Sequence, residues 1–126
     1  MKVYLAAQYQ RRGELQMYAE KLGTLGIEVT SRWLNGDHEG LPWEKCAVDD
    51  VEDVTAADTI ISFTNSDYRY SRGGRHVEFG MGVITKARLI LVGRAENVFH
   101  ELPQVEQYKT WNLCFKQLEK ELEAKK

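Results

Sequence analysis

Ser71-Arg72-Gly73-Gly74-Arg75-His76-Val77-Glu78-Phe79-Gly80-Met81-Gly82 is the stretch on which the reading of this chain turns. Before it lies an apolar run, DTIISFT (Asp58–Thr64), closed by a polar loop over 65–74; after it comes a second, RLILV (Arg88–Val92). Two buried strands joined through a glycine turn and a helix make a parallel strand–helix–strand unit. The paired glycines let the backbone turn tightly and bring N–H groups close to a ligand. Arg72, Arg75 and, one turn into the helix, Glu78 place charges of both signs beside that turn. A carboxylate there is expected to be held ionised by the helix dipole and free N–H groups. It can serve as a nucleophile toward a sugar phosphate, or do no more than complement the dipole.

The rest of the chain repeats the alternation. KVYLAA (Lys2–Ala7) reads as the first strand, QYQRRG (Gln8–Gly13) as a polar loop, and Glu14–Leu25 as a helix with Leu15, Tyr18, Ala19, Leu22 and Leu25 at helical spacing. IEVT (Ile27–Thr30) is a second strand, and Ser31–Pro42 a loop too long to be a minimal connection. Trp43–Ala57 is a second helix, Val105–Tyr108 a short fifth strand, and a last helix starts near Thr110 with Trp111, Cys114, Phe115, Leu118 and Leu122 on one stripe. This order predicts an α/β fold: a doubly wound, mostly parallel five-stranded sheet with helices on both faces, flavodoxin- or Rossmann-like. Ligands of such sheets bind beyond the carboxyl ends of the strands, where strand order reverses. The loops at 8–13, 31–42 and 65–74 are therefore expected to converge on one site.

Composition narrows the classes. At 126 residues the chain is expected to form one domain, 1–126. A net charge of −2 argues against a nucleic-acid polymer as partner, so any anion site must be local. No apolar run reaches membrane-spanning length and MKVYLAAQYQ lacks a signal-peptide pattern, so no membrane association and a cytoplasmic location are expected. Cys46 and Cys114 lack metal-ligand spacing and read as reduced core thiols, and His38, His76 and His100 form no ligand set. Neither a metal nor a cofactor is expected.

The second helix holds an anomaly. At 100° per residue, Trp43, Cys46, Ala47, Val54 and Ala57 share an apolar stripe, with Asp50 in its middle. Asp49, Glu52 and Asp53 lie off that centre and read as solvated surface charge. An aspartate aimed at the sheet must be paired, hydrogen-bonded or exposed in a pocket. A pocket would raise its pKa and suit an acid that protonates a leaving group.

Three segments together resemble the nucleoside 2-deoxyribosyltransferase family, which includes 2'-deoxynucleoside 5'-monophosphate N-hydrolases. They are KVYLAAQY, DDVEDVTAADTIISFT (Asp49–Thr64), and GGRHVEFGMG followed by RLILV. The resemblance spans most of residues 2–93, with Val-Glu-Phe-Gly its most specific part. It implies a doubly wound domain in which Glu78 attacks the anomeric carbon of deoxyribose, Tyr4 orients Glu78, and Asp50 serves base recognition and proton transfer. It also implies a homo-oligomer with pockets near subunit contacts. The chain departs from the family pattern in three places. Arg72 stands where the transferases carry an acid and the hydrolases a serine. Gln8 and Gln10 replace first-loop residues that touch substrate, and the transferase tail is lacking.

The expected activity is cleavage of the N-glycosidic bond of a 2'-deoxynucleoside or its 5'-monophosphate through a covalent deoxyribosyl–Glu78 intermediate, passed to another base or to water. The alternative is a nucleotide-binding or sensing module that keeps the pocket without turnover. Arg72, Gly73, Gly74 and Arg75, with Arg11 and Arg12 in the facing loop, favour a phosphorylated substrate. Of the aromatic residues, Tyr9, Trp33 and Tyr70 are stacking candidates, Trp33 foremost, whereas Trp43 reads as core. Arg69 reads as a solvated surface residue and His76 as a partner of the glycine turn. Gly80 and Gly82 read as close-packing positions.

Overall fold

The computed structural model describes residues 1–36, 40–65 and 72–126. Five strands, β1 (Lys2–Ala6), β2 (Glu28–Val29), β3 (Thr59–Phe63), β4 (Arg88–Val92) and β5 (Glu106–Tyr108), form one sheet in the order β2-β1-β3-β4-β5, every pair parallel. Helices α1 (Arg12–Thr24), α2 (Trp43–Ala56), α3 (Gly74–Thr85) and α4 (Trp111–Ala124) make the connections. This is the doubly wound fold expected, with the reversal of strand order between β1 and β3.

Alternation along β3 sends its side chains to two different layers. Phe63 clusters with Tyr18 of α1 and Trp111 of α4, ring centroids 5.5 Å and 6.0 Å away, and those two stack on each other at 4.4 Å. Ile60 points the other way, against α3, where a Cβ added to Gly82 would lie 2.6 Å from its Cγ1. Gly82 is thus a close-packing position. Gly80 is not, since its missing Cβ faces open space. Tyr4 pairs in register with Ile60, so its ring also faces the α2–α3 layer, fully buried. Parity alone therefore delivers the Tyr4 hydroxyl to α3.

β2 is shorter than expected, and the reason bears on the site. Its pairing with β1 stops at Val3↔Val29, which leaves Leu5 to find other partners on that side. The Ser31 hydroxyl accepts from the Leu5 N–H (2.7 Å), and the Trp33 indole N–H donates to the Leu5 carbonyl (3.0 Å). Side chains thus complete the ladder, as buried backbone groups require. Arg32 between them pins this loop to α2: its N–H and Nε both donate to Asp53, each at 2.9 Å. Asp49 and Asp53 are consequently buried, 4% and 7% exposed, and not the solvated charges expected; Asp49 is held by Arg32 and by Lys45 at 2.8 Å.

Cys114 is a buried thiol, whereas Cys46 is only half-buried. Among the described residues no helix is long and apolar enough to cross a membrane, and no group of three or more His, Cys, Asp or Glu is placed to hold a metal.

Candidate active site

A cavity of about 460 Å³ opens beyond the carboxyl ends of β1 and β2. Its walls come from the loop after β1 (Ala7–Gln10), from Trp33, from Trp43 and Asp50 of α2, and from Arg72 through Glu78 at the start of α3. All three expected loops contribute to it, the third through Arg72, Gly73 and Gly74. Residues 66–71 of that third loop, Arg69, Tyr70 and Ser71 among them, lie outside the described residues, as does His38 in the second loop.

Glu78 stands at the centre. The Tyr4 hydroxyl donates to its Oε2 at 2.6 Å, a short bond. Burial pushes the Glu78 carboxyl up to about 8; the Tyr4 bond works against that rise, and the charge of Asp50 adds to it. Tyr4 is raised well above the ordinary phenol range by its own burial, then by the charges of Glu78 and Asp50. Asp50 and Glu78, on different helices, therefore face one cavity and feel each other's charge.

The expectation that the helix dipole holds Glu78 ionised is corrected here. Glu78 is the fifth residue of α3, past the free N–H groups of the first turn, and desolvation outweighs the dipole there. The turn itself is as read: Gly73 precedes the helix at φ +83°, in the left-handed region where a side chain would be strained.

The structure sorts the expected substrate-binding residues. Gln8 (6% exposed), Tyr9 (46% exposed), Arg72, Gly73 and Gly74 line the cavity. Arg11 does not: its guanidinium clasps both oxygens of Glu14 at 2.9 and 2.8 Å and donates to the Thr64 carbonyl. Arg75 lines the cavity but is 3% exposed and ion-paired at 2.9 Å with Glu96, itself buried in the loop after β4. Trp33 is 6% exposed with its indole N–H committed to β1, so it is a wall and not a free stacking surface. The exposed ring is Trp43, 77% exposed, with the Arg72 guanidinium 5.4 Å above its centroid. Trp43 is the first residue of α2.

Glu96 and its buried partnership with Arg75 were missed. The signal was present: Arg75, Phe79 and Gly82 form the buried stripe of α3, so Arg75 sits on an inward face as Asp50 does. His76, 3.2 Å from Arg75 and 3.3 Å from Asn97, braces the same turn.

No protein-family model matches the chain, and no curated protein matches its sequence. Solved structures do. The CMP N-glycosidase BcmB of Clostridium botulinum superposes with a TM-score of 0.68 at 20% identity, over 94% of this chain and 98% of that one. The 2-deoxyribosyltransferase of Bacillus psychrosaccharolyticus superposes with a TM-score of 0.73, again at 20% identity, over 91% and 90% of the two chains. This chain shares their fold. Both neighbours are members of the nucleoside 2-deoxyribosyltransferase family, the family that the motifs of this sequence resemble.

Proposed function

We propose that the chain is an enzyme of this family, which breaks the N-glycosidic bond of a nucleoside or nucleotide with Glu78 as nucleophile. One observation above all supports it: a half-buried, desolvated glutamate, hydrogen-bonded by Tyr4, shares a cavity with a second carboxylate on the facing helix. In the first step a Glu78 oxygen bonds to the anomeric carbon. The bond from that carbon to the base nitrogen breaks, its electron pair leaves with the base, and Asp50 supplies the proton that neutralises it. In the second step water, or the nitrogen of another base, attacks the same carbon. Asp50 takes the proton back and Glu78 is released.

The reactive form has Glu78 ionised and Asp50 protonated, so one proton serves the pair. Burial pushes the Glu78 carboxyl up to about 8, which favours the proton on Glu78 before substrate enters. The Tyr4 hydroxyl favours its departure, because a hydrogen bond donated to a carboxylate stabilises the ion.

The test is chromatography of deoxynucleosides, ribonucleosides and their 5'-monophosphates incubated with the protein, with and without a free acceptor base. Base released without an acceptor means hydrolysis, and exchange only with an acceptor means transfer. Ligand binding with no turnover of any of them refutes the proposal and leaves a binding module.

A homo-oligomer and a cytoplasmic location belong to the same reading. An apolar face over α3 and the turn after β4, with Val77, Ile84 and Phe99 exposed at 64%, 81% and 61%, supports self-association, which sedimentation velocity tests directly.

A further inference from the structure

We infer that the Ser62 hydroxyl is a positioning group for Glu78, idle while that carboxyl carries its proton and donating to it once the proton has left, an inference that rests on the glycosidic reading of the same site. Ser62 is the fourth residue of β3, fully buried, and its Oγ has no hydrogen-bond partner. A hydroxyl taken out of water without a partner costs free energy, so a serine at such a place calls for an explanation. Its cross-strand neighbours offer no acceptor side chain: Ala6 of β1 and Leu91 of β4 stand in register on either side, both apolar. A side-chain acceptor has to come from the helices above.

The course of the chain brings Glu78 to it. Ser62 points to the same layer as Ile60, two residues back, and as Tyr4, which pairs with Ile60. Gly82 of α3 lies over Ile60, an added Cβ falling 2.6 Å from its Cγ1. Because α3 joins two parallel strands it runs back along them, so earlier helix residues stand over later strand residues. Four residues of helix, from Gly82 back to Glu78, rise about 6 Å, and two of strand, from Ile60 on to Ser62, about 6.6 Å. Glu78 and Phe79 are therefore at the level of Ser62. From the same layer the Tyr4 hydroxyl already reaches Oε2 of Glu78.

The reaction supplies the acceptor that the resting site lacks. Burial favours the proton on Glu78, and a neutral carboxyl is a weaker acceptor than its ion. The reactive form is the ion, which takes hydrogen bonds at both oxygens. Around it stand the Tyr4 hydroxyl from β1, Asp50 from α2, and Arg75 of α3 itself, already paired with Glu96. Asp50 opposes ionisation of Glu78, and a neutral donor on β3 offsets that opposition. A hydroxyl unpaired before the proton leaves and paired afterwards stabilises the reactive form alone. An interaction confined to that form raises kcat.

The experiment compares wild type with Ser62→Ala and Ser62→Cys by thermal melts, by the kinetics of base release, and by carbon NMR titration of the Glu78 carboxyl, its signal assigned by its loss in Glu78→Gln. Ser62→Ala removes an unpaired hydroxyl, so it should melt no lower than wild type. Its kcat should nonetheless fall about 10-fold with KM little changed, and the Glu78 carboxyl should titrate about one unit higher. Ser62→Cys, a weaker donor of similar shape, should fall between the two. With wild type active, a kcat or a titration unmoved by Ser62→Ala overturns the inference. So does a lower melting temperature, which would give the hydroxyl a structural partner at rest. No turnover in wild type with a titration that still moves refutes the glycosidic chemistry and leaves the hydrogen bond standing; no turnover and no movement refutes both.

Discussion

Replacing Tyr4 by phenylalanine removes one oxygen and one hydrogen bond from a side chain that is otherwise fully buried core. The ring keeps its packing, so the change falls on Glu78. A hydrogen bond to a charged group contributes about 1.5–3 kcal/mol, and one pKa unit corresponds to about 1.4 kcal/mol. Without the Tyr4 bond, Glu78, already pushed up to about 8, should rise by roughly one to two further units. Two consequences follow for kcat/KM. The proton leaves Glu78 for Asp50 less readily, so the plateau should drop about 10- to 100-fold. The alkaline limb marks loss of the last proton from the pair, so it should move to higher pH by the same one to two units. The assay is base release from the preferred substrate between pH 5 and 10, for wild type and Tyr4→Phe. An alkaline limb that stays in place or moves to lower pH refutes the reasoning. A wild-type rate that climbs through pH 8 refutes Asp50 as the acid.

Glu78→Gln should abolish turnover and flatten the pH dependence of stability. The native carboxyl keeps its proton up to about 8 where the unfolded one loses it near the ordinary glutamate value of 4.5. Between those values the folded state binds more protons, so wild-type stability should decline as pH rises, by on the order of a few kcal/mol in total. Thermal melts at pH 5 and 9 should show the variant gaining on wild type at the higher pH. Glu96→Leu strands the Arg75 guanidinium in the interior and should cost about 3–5 kcal/mol in urea unfolding, partly recovered in the double variant with Arg75→Met. Gly82→Ala should cost about 1–3 kcal/mol through collision with Ile60 and Leu89, whereas Gly80→Ala, facing open space, should be neutral or stabilising by up to about 1 kcal/mol.

The fold was legible because each strand–helix alternation states its own period and because β3 and β4 are mostly apolar and almost wholly buried. β2 was overextended, since nothing local to IEVT reveals that Ser31 and Trp33 take over from the ladder. Asp50 was found by asking which way a charge faces, and the same question put to Arg75 would have led to Glu96. The two tryptophans exchanged roles for a physical reason. Helical spacing states which side of α2 is inward, but not how much of its first turn is covered. Trp33, in a loop, makes up for a strand that stops early. The acids Asp49 and Asp53 were misread because their partner Arg32 lies in a different segment, and a pairing across that distance leaves no periodic trace.

The strand order has a consequence for the chain during its synthesis. Tyr4 emerges at the outset, Asp50 near the middle, and Glu78 later still, on the helix that leads into β4. An incomplete chain that ends before α3 has no carboxylate at that position. One that ends within it has Glu78 in water, at the acidity of any surface glutamate. Whatever chemistry Glu78 performs is thus withheld until β1, β3 and β4 stand side by side, so a half-made chain cannot attack its ligands.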